Sequence, residues 1–204
     1  MAEGPYFRDA RLSRRDIRPD SRTKRARPGV PLTLTFLVSR VALNACTPQS
    51  GVVVDVWHCD AAGAYSDVQD ARSGTDTTGQ DWLRGTQVTD ARGRAVFTTI
   101  YPGWYPGRAV HVHFKLRTVQ RASGTGAARR NDRVTGEFTS QLFFPEDVTD
   151  RVHAAPPYAA RGRRDTPNTA DILYRNGGSQ LLVAVRGDTR TGLTATFDVG
   201  LNMR

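Results

Sequence analysis

The sequence has no apolar run that approaches the ~20 residues of a membrane span, which removes helical membrane proteins from consideration. It has two cysteines, Cys46 and Cys59, and no second pair, so no zinc pattern is present. Lysine is nearly missing, occurring only at Lys24 and Lys115, so arginine carries the net charge of +9. That balance suits anionic partners. The basic residues do not form one block, however. They cluster at 8–27, where Asp9, Asp16 and Asp20 interrupt, and again at 129–133 and 161–164. No aromatic stacking platform or nucleic-acid motif accompanies them, so a solvated basic surface is expected and nucleic acid is not an expected partner.

Helical signals are equally scarce. No amphipathic pattern runs for a dozen residues, and only 145–155 (PEDVTDRVHAA), with Pro145 early and acids in the first turn, predicts a short helix. The opening MAEGPYF has no basic segment leading into an apolar core, so no export leader is read there. The expected location is extracellular if a leader has been removed, and cytoplasmic otherwise.

What is present is strand signal. The 204 residues fit one domain, residues 1–204, with a polar, basic arm at 1–30, and are enough for a core without disulfides. Leu32, Leu34, Phe36 and Val38 alternate with Thr33, Thr35 and Leu37, which is period two. Residues 51–58 (GVVVDVWH) read as a buried strand. Further strands are predicted at 94–101, 109–118, 138–144, 180–186 and 193–201. Turn-forming stretches at 61–80, 102–107, 122–136 and 156–169 separate them. The expected fold is all-β: a β-sandwich with short helical turns and long connecting loops. Residues 51–58 extended would span roughly 27 Å, while a disulfide needs α-carbons within about 7 Å. Two free thiols are therefore expected, unless 46–50 folds back.

The chemistry concentrates in one stretch. In AVHVHFKL (109–116) as a strand, Val110, Val112, Phe114 and Leu116 share one face, and His111 and His113 share the other. Two imidazoles so placed can converge on one metal, although alone such a pair is commonly structural. The preceding TIYPGWYPGR (99–108) sets Tyr101, Trp104, Tyr105 and Arg108 in a turn that two Pro-Gly pairs force to reverse. Residues 55–67 (DVWHCDAAGAYSD) end a strand and deliver Tyr65 on a small-residue turn; His58 there reads as structural. Two imidazoles and two phenolates form a hard, anionic donor set suited to trivalent iron. A free tyrosine with pKa near ~10 also needs a strong cation to ionise at neutral pH.

The segments VDVWHCDAAGAYS (54–66), FTTIYPGWYPGRAVHVHFKL (97–116) and SQLFFPEDVTDRV (140–152), with EGPYF (3–7) ahead of them, closely resemble the intradiol ring-cleavage dioxygenases. The ordered resemblance runs from about residue 3 to 201. It implies a β-sandwich binding one iron(III) through Tyr65, Tyr105, His111 and His113, with Tyr105 rather than Tyr101 as the loop ligand. It further implies Arg108 and Gln141 beside the substrate, a catechol-type substrate with O2, and a cis,cis-muconate type product. The turn between Tyr105 and His111 is shorter than in the classical enzymes, and the long N-terminal helical segment of catechol 1,2-dioxygenases is not in this sequence; the pattern looks closer to compact bacterial members. Homo-oligomerisation is left open. A cupin-type oxygenase would want glycine where Tyr105 stands and glutamate at Arg117 or Thr118, so that pattern fails. The remaining alternative is a non-catalytic β-sandwich binding module.

Overall fold

The computed structural model describes residues 3–9, 11–43, 45–70, 75–120 and 133–202. Its strands are β1 (Pro31–Ala42), β2 (Ala45–Pro48), β3 (Val53–Trp57), β4 (Gln69–Asp70), β5 (Thr75–Asp76), β6 (Arg84–Val88), β7 (Arg94–Ile100), β8 (His111–Gln120), β9 (Arg133–Phe143), β10 (Ala184–Asp188) and β11 (Gly192–Asn202). Helix α1 (Glu146–His153) and the single turn α2 (Ile172–Arg175) lie between β9 and β10. The basic cluster at 129–132 and the turn at 122–132 lie outside the described residues.

Two sheets face each other. In one, β1 pairs in parallel with β11 along one edge and antiparallel with β7 and β2 along the other, and β10 closes the far side of β11. The second is wholly antiparallel, in the order β6-β3-β8-β9. Period-two burial drives the packing: Leu32, Leu34, Phe36 and Val38 of β1 are buried while Thr33, Thr35 and Leu37 are only partly so. From the opposite sheet, Val112, Phe114 and Leu116 of β8 enter the same core. Phe36 meets Phe114 at 5.4 Å between ring centres, and Phe114 meets Phe197 at 5.4 Å, so aromatic contacts bridge the layers.

The arm is more engaged than its polar sequence implies. Ile17 is fully buried. Residues 12–17 lace two sheet edges together: Thr86 of β6 and Thr98 of β7 both exchange backbone hydrogen bonds with this segment. That covers edges otherwise open to pairing with another chain.

Strand limits differ from expectation where burial, not β-propensity, decides. The strand expected at 180–186 begins only at Ala184, because Gly178–Leu181 winds into a 3₁₀ turn against β9. β9 starts at Arg133 rather than 138, since its first half is an exposed extension paired with β8. Strands β2 and β6 were not expected: ACTP is exposed and RGTQV holds a glycine, so neither displays an apolar alternation. The expected helix at 145–155 is found as α1. Both cysteines are free, Cys46 exposed on β2 and Cys59 buried beyond β3.

Candidate metal centre

Strand β8 leaves the core at its N-terminal end, where both of its faces are buried. His111 and His113 project from the face opposite Val112 and Phe114. Their Nε2 atoms stand 3.1 Å apart, and Tyr105 Oη lies 3.1 Å from His111 Nε2. His111 Nδ1 is 2.7 Å from the Ala109 carbonyl. A carbonyl only accepts, so Nδ1 carries the proton and Nε2 presents its lone pair toward the cluster. His113 is held by Trp57, stacked on it at 5.0 Å and 8°. Register explains that contact: Trp57 of β3 and Gln141 of β9 both sit directly across from His113.

Tyr65 completes the group from the turn after β3. Its ring is edge-on to Tyr105 at 5.8 Å and to His113 at 6.2 Å. Thr77 Oγ1 donates to the Tyr65 carbonyl at 2.7 Å and fixes the turn. Two glycines permit the close approach of the two tyrosine-bearing loops. A side chain at Gly63, where φ is +83°, would strike the Trp104 carbonyl at 2.1 Å, and one at Gly103 would strike the Asp60 carbonyl at 2.4 Å. Tyr101 is elsewhere, with its hydroxyl 2.7 Å from Thr149 Oγ1 and its carbonyl accepting from Tyr158. His58 is likewise apart, between Thr99 Oγ1 and the Cys59 carbonyl.

Burial sets the protonation states. It pushes His111 down to about 3, with the nearby Arg108 charge adding to the effect, and pushes His113 well below the ordinary histidine range, with His111 and Arg108 adding. Both imidazoles are therefore neutral and available as ligands. Burial also raises Tyr65 and Tyr105 above the usual phenol range. Without a cation both would stay protonated. The buried Tyr65 Oη and Gln141 Nε2 have no hydrogen-bond partner among the described residues. Nor does any group of three or more His, Cys, Asp or Glu among those residues converge to hold a metal. A metal at this place would have to take the tyrosines. The donor set of two neutral imidazoles and two phenols, with the histidine nitrogens 3.1 Å apart, fits a hard trivalent ion by its chemistry.

Arg108 donates from Nε to Asp171 at 2.8 Å and from an Nη to Gln141 Oε1. Asp171 is fully buried and also accepts the Ala109 amide at 2.9 Å and the Leu173 amide at 2.7 Å, capping α2. Burial alone would raise its pKa. The Ala109 amide and the Arg108 guanidinium outweigh that and hold it below the usual carboxylate range. Asp171 carries no sequence signal beyond that of a helix cap, and it was not among the expected site residues. The buried Arg84 was not expected there either. It donates to the Ser66 hydroxyl at 2.8 Å, the Ser66 carbonyl at 2.6 Å and the Tyr6 carbonyl at 2.7 Å. The arm is thereby tied to the residue after Tyr65, and the Tyr6 ring stacks on Tyr65 at 4.5 Å.

A two-sheet sandwich with tyrosines and histidines gathered at one end has known relatives. Residues 2–152 match a family model described as Dioxygenase. The chain is 32% identical over 149 residues to the protocatechuate 3,4-dioxygenase beta chain of Burkholderia cepacia, a match covering 66% of this chain and 56% of that protein. It thus spans little more than half the length of this curated relative. Among solved structures, an intradiol ring-cleavage dioxygenase from Tetranychus urticae superposes with a TM-score of 0.77 at 26% identity, covering 98% of this chain and 91% of that one. The dioxygenase domain of a dioxygenase–carbohydrate-binding protein fusion from Streptomyces sp. SirexAA-E superposes with a TM-score of 0.65 at 32% identity, covering 100% and 97%. The chain belongs to the intradiol ring-cleavage dioxygenase family.

Proposed function

We propose that the chain is a non-haem iron(III) dioxygenase that opens a catechol-type ring between its two hydroxylated carbons with O2, giving a cis,cis-muconate type diacid. The observation that supports this most is the convergence of His111 Nε2, His113 Nε2 and Tyr105 Oη at 3.1 Å spacings beside Tyr65. In this reading Tyr65, Tyr105, His111 and His113 hold the iron. When bound, the metal supplies Lewis acidity toward the catecholate and a template for oxygen.

The rest is the work of the chain. His111 and His113 offer neutral nitrogens, because burial holds both below the ordinary histidine range. Tyr105, half-buried on the loop between two Pro-Gly pairs, would be the more mobile of the two tyrosine ligands, and its phenolate oxygen is placed to take a proton from the catechol. Tyr65 is buried beneath Tyr6 and stays. Arg108, aimed by Asp171, stabilises negative charge on the ring. Gln141 Nε2, a buried donor lacking a partner among the described residues, orients a substrate oxygen.

Purified protein tests the reading by iron analysis, by tyrosinate-to-iron(III) absorption in the visible, and by O2 uptake with product identification over a panel of catechols. The expected result is a red-brown protein that consumes O2 with a catechol and releases a ring-opened diacid. A colourless protein that consumes no O2 after iron loading would leave a non-catalytic binding module instead.

A further inference from the structure

The cavity beside the tyrosine–histidine cluster has a volume of about 520 Å³. That is within the range of sites that enclose ligands of drug size, and a lone dihydroxylated ring would fill only part of it. Tyr65 and Tyr105 form one wall, and Tyr6 and Val68 add apolar surface. Among the described residues that line it, Arg161 is the one charged side chain.

Arg161 is held in a specific posture. It ends the 3₁₀ turn Tyr158–Arg161. Its Nε donates to the Trp104 carbonyl at 2.7 Å, and its guanidinium lies over the Trp104 indole at 4.8 Å. The indole Nε1 returns a hydrogen bond to the Gly162 carbonyl at 3.2 Å. These contacts use Nε and the guanidinium face only. Neither terminal nitrogen of Arg161 makes a hydrogen bond or ion pair among the described residues. Arg164 and Arg108 differ in this: the first is occupied by Glu146 and Asp150, and the second by Asp171 and Gln141. A guanidinium fixed at its base, with its fork open, matches the geometry of a carboxylate. Fixing it in advance lowers the entropy lost on binding.

We infer that Arg161 determines specificity by binding the anionic end of a side chain carried on the catechol ring. The preferred substrates are then catechols with an extended, carboxylate-bearing substituent. This rests on the ring-cleavage reading above. The dihydroxylated ring occupies the tyrosine–histidine cluster, the substituent lies against Tyr6 and Val68, and its carboxylate meets the Arg161 fork. Arg161 is exposed, so the contact is screened by salt and its effect is modest, about three- to fivefold in kcat/KM.

The test compares a catechol bearing a propanoate side chain with the methyl ester of the same compound, on wild type, Arg161→Gln and Arg161→Glu. The acid-to-ester ratio of kcat/KM is expected at about three- to fivefold in wild type, near one in Arg161→Gln and below one in Arg161→Glu. Added salt should lower the wild-type ratio. Each ratio is taken on one preparation, so differences in iron loading cancel. Calorimetric titration of the iron-free protein with para-hydroxyphenylpropanoate and its methyl ester reads the same preference without turnover. A wild-type ratio near one, or a preference that survives in Arg161→Gln, overturns the inference. If no catechol is turned over yet the binding preference holds, the ring-cleavage reading fails and the anion site stands. Turnover without preference removes the anion site and leaves ring cleavage standing.

Discussion

Arg108 and Asp171 meet at 2.8 Å although they are 63 residues apart in the chain. The carboxylate is fully buried, and it also anchors the Ala109 amide two residues before His111. One side chain therefore sets both the direction of the guanidinium and the start of β8.

Arg108→Ala is expected to keep iron and colour, since arginine is no ligand, and to lose turnover by ~10²–10³. Asp171→Asn should act through Arg108, lowering turnover by about 10–100-fold. The double variant should be little worse than Arg108→Ala, because both remove one contribution. Steady-state kinetics on iron-normalised preparations measure this. Near-normal turnover in Arg108→Ala would reduce the residue to surface charge.

His111→Ala or His113→Ala should lose iron and visible absorption together, because alanine supplies no nitrogen. Tyr65→Phe and Tyr105→Phe should each move the visible band. Tyr101→Phe should leave it in place and cost about 1 kcal/mol of stability through the lost Thr149 hydrogen bond. Full iron content in both histidine variants would refute the ligand assignment.

The iron-free protein should lose stability in mild acid, in part through His58. Burial depresses its pKa from 6.5 to about 4. Protonation then favours the unfolded chain, so stability is complete above pH 6.5, falls as pH drops toward 4, and levels off below. The full contribution is about 3 kcal/mol. His111 and His113 are depressed as well, so the comparison must be wild type against His58→Gln, both iron-free. Urea unfolding across pH 4–7 should show a shallower slope in the variant; equal slopes would remove His58 from the account.

Thiol reactivity should split in two. Cys46 is exposed, whereas Cys59 is buried and burial pushes its thiol pKa up. A disulfide-exchange reagent should titrate one thiol quickly in the native protein and the second only on unfolding. Mass spectrometry of unreduced protein showing the loss of two hydrogens would contradict two free thiols.

The sandwich itself was legible in local pattern. Leu32, Leu34, Phe36 and Val38 alternate with partly exposed neighbours, and the same alternation places His111 and His113 on the face away from Val112 and Phe114. Strand pleat alone makes that division, because side-chain direction has period two whatever the partner strand. The Pro-Gly pairs around Tyr105 likewise announced a reversing loop. Other features depend on partners distant in sequence. β2 and β6 lack apolar alternation and are strands because β1 and β3 supply their hydrogen bonds. The first residues read as a polar arm, yet Ile17 is in the core because residues 12–17 bond to β6 and β7, and Tyr6 lies on Tyr65 because Arg84 holds its carbonyl. Asp171 shows only the signature of a helix cap, and Arg161 only that of one basic residue in a cluster. What each does is decided by which carbonyl, indole or guanidinium the tertiary fold brings beside it, and local periodicity holds no information about that pairing.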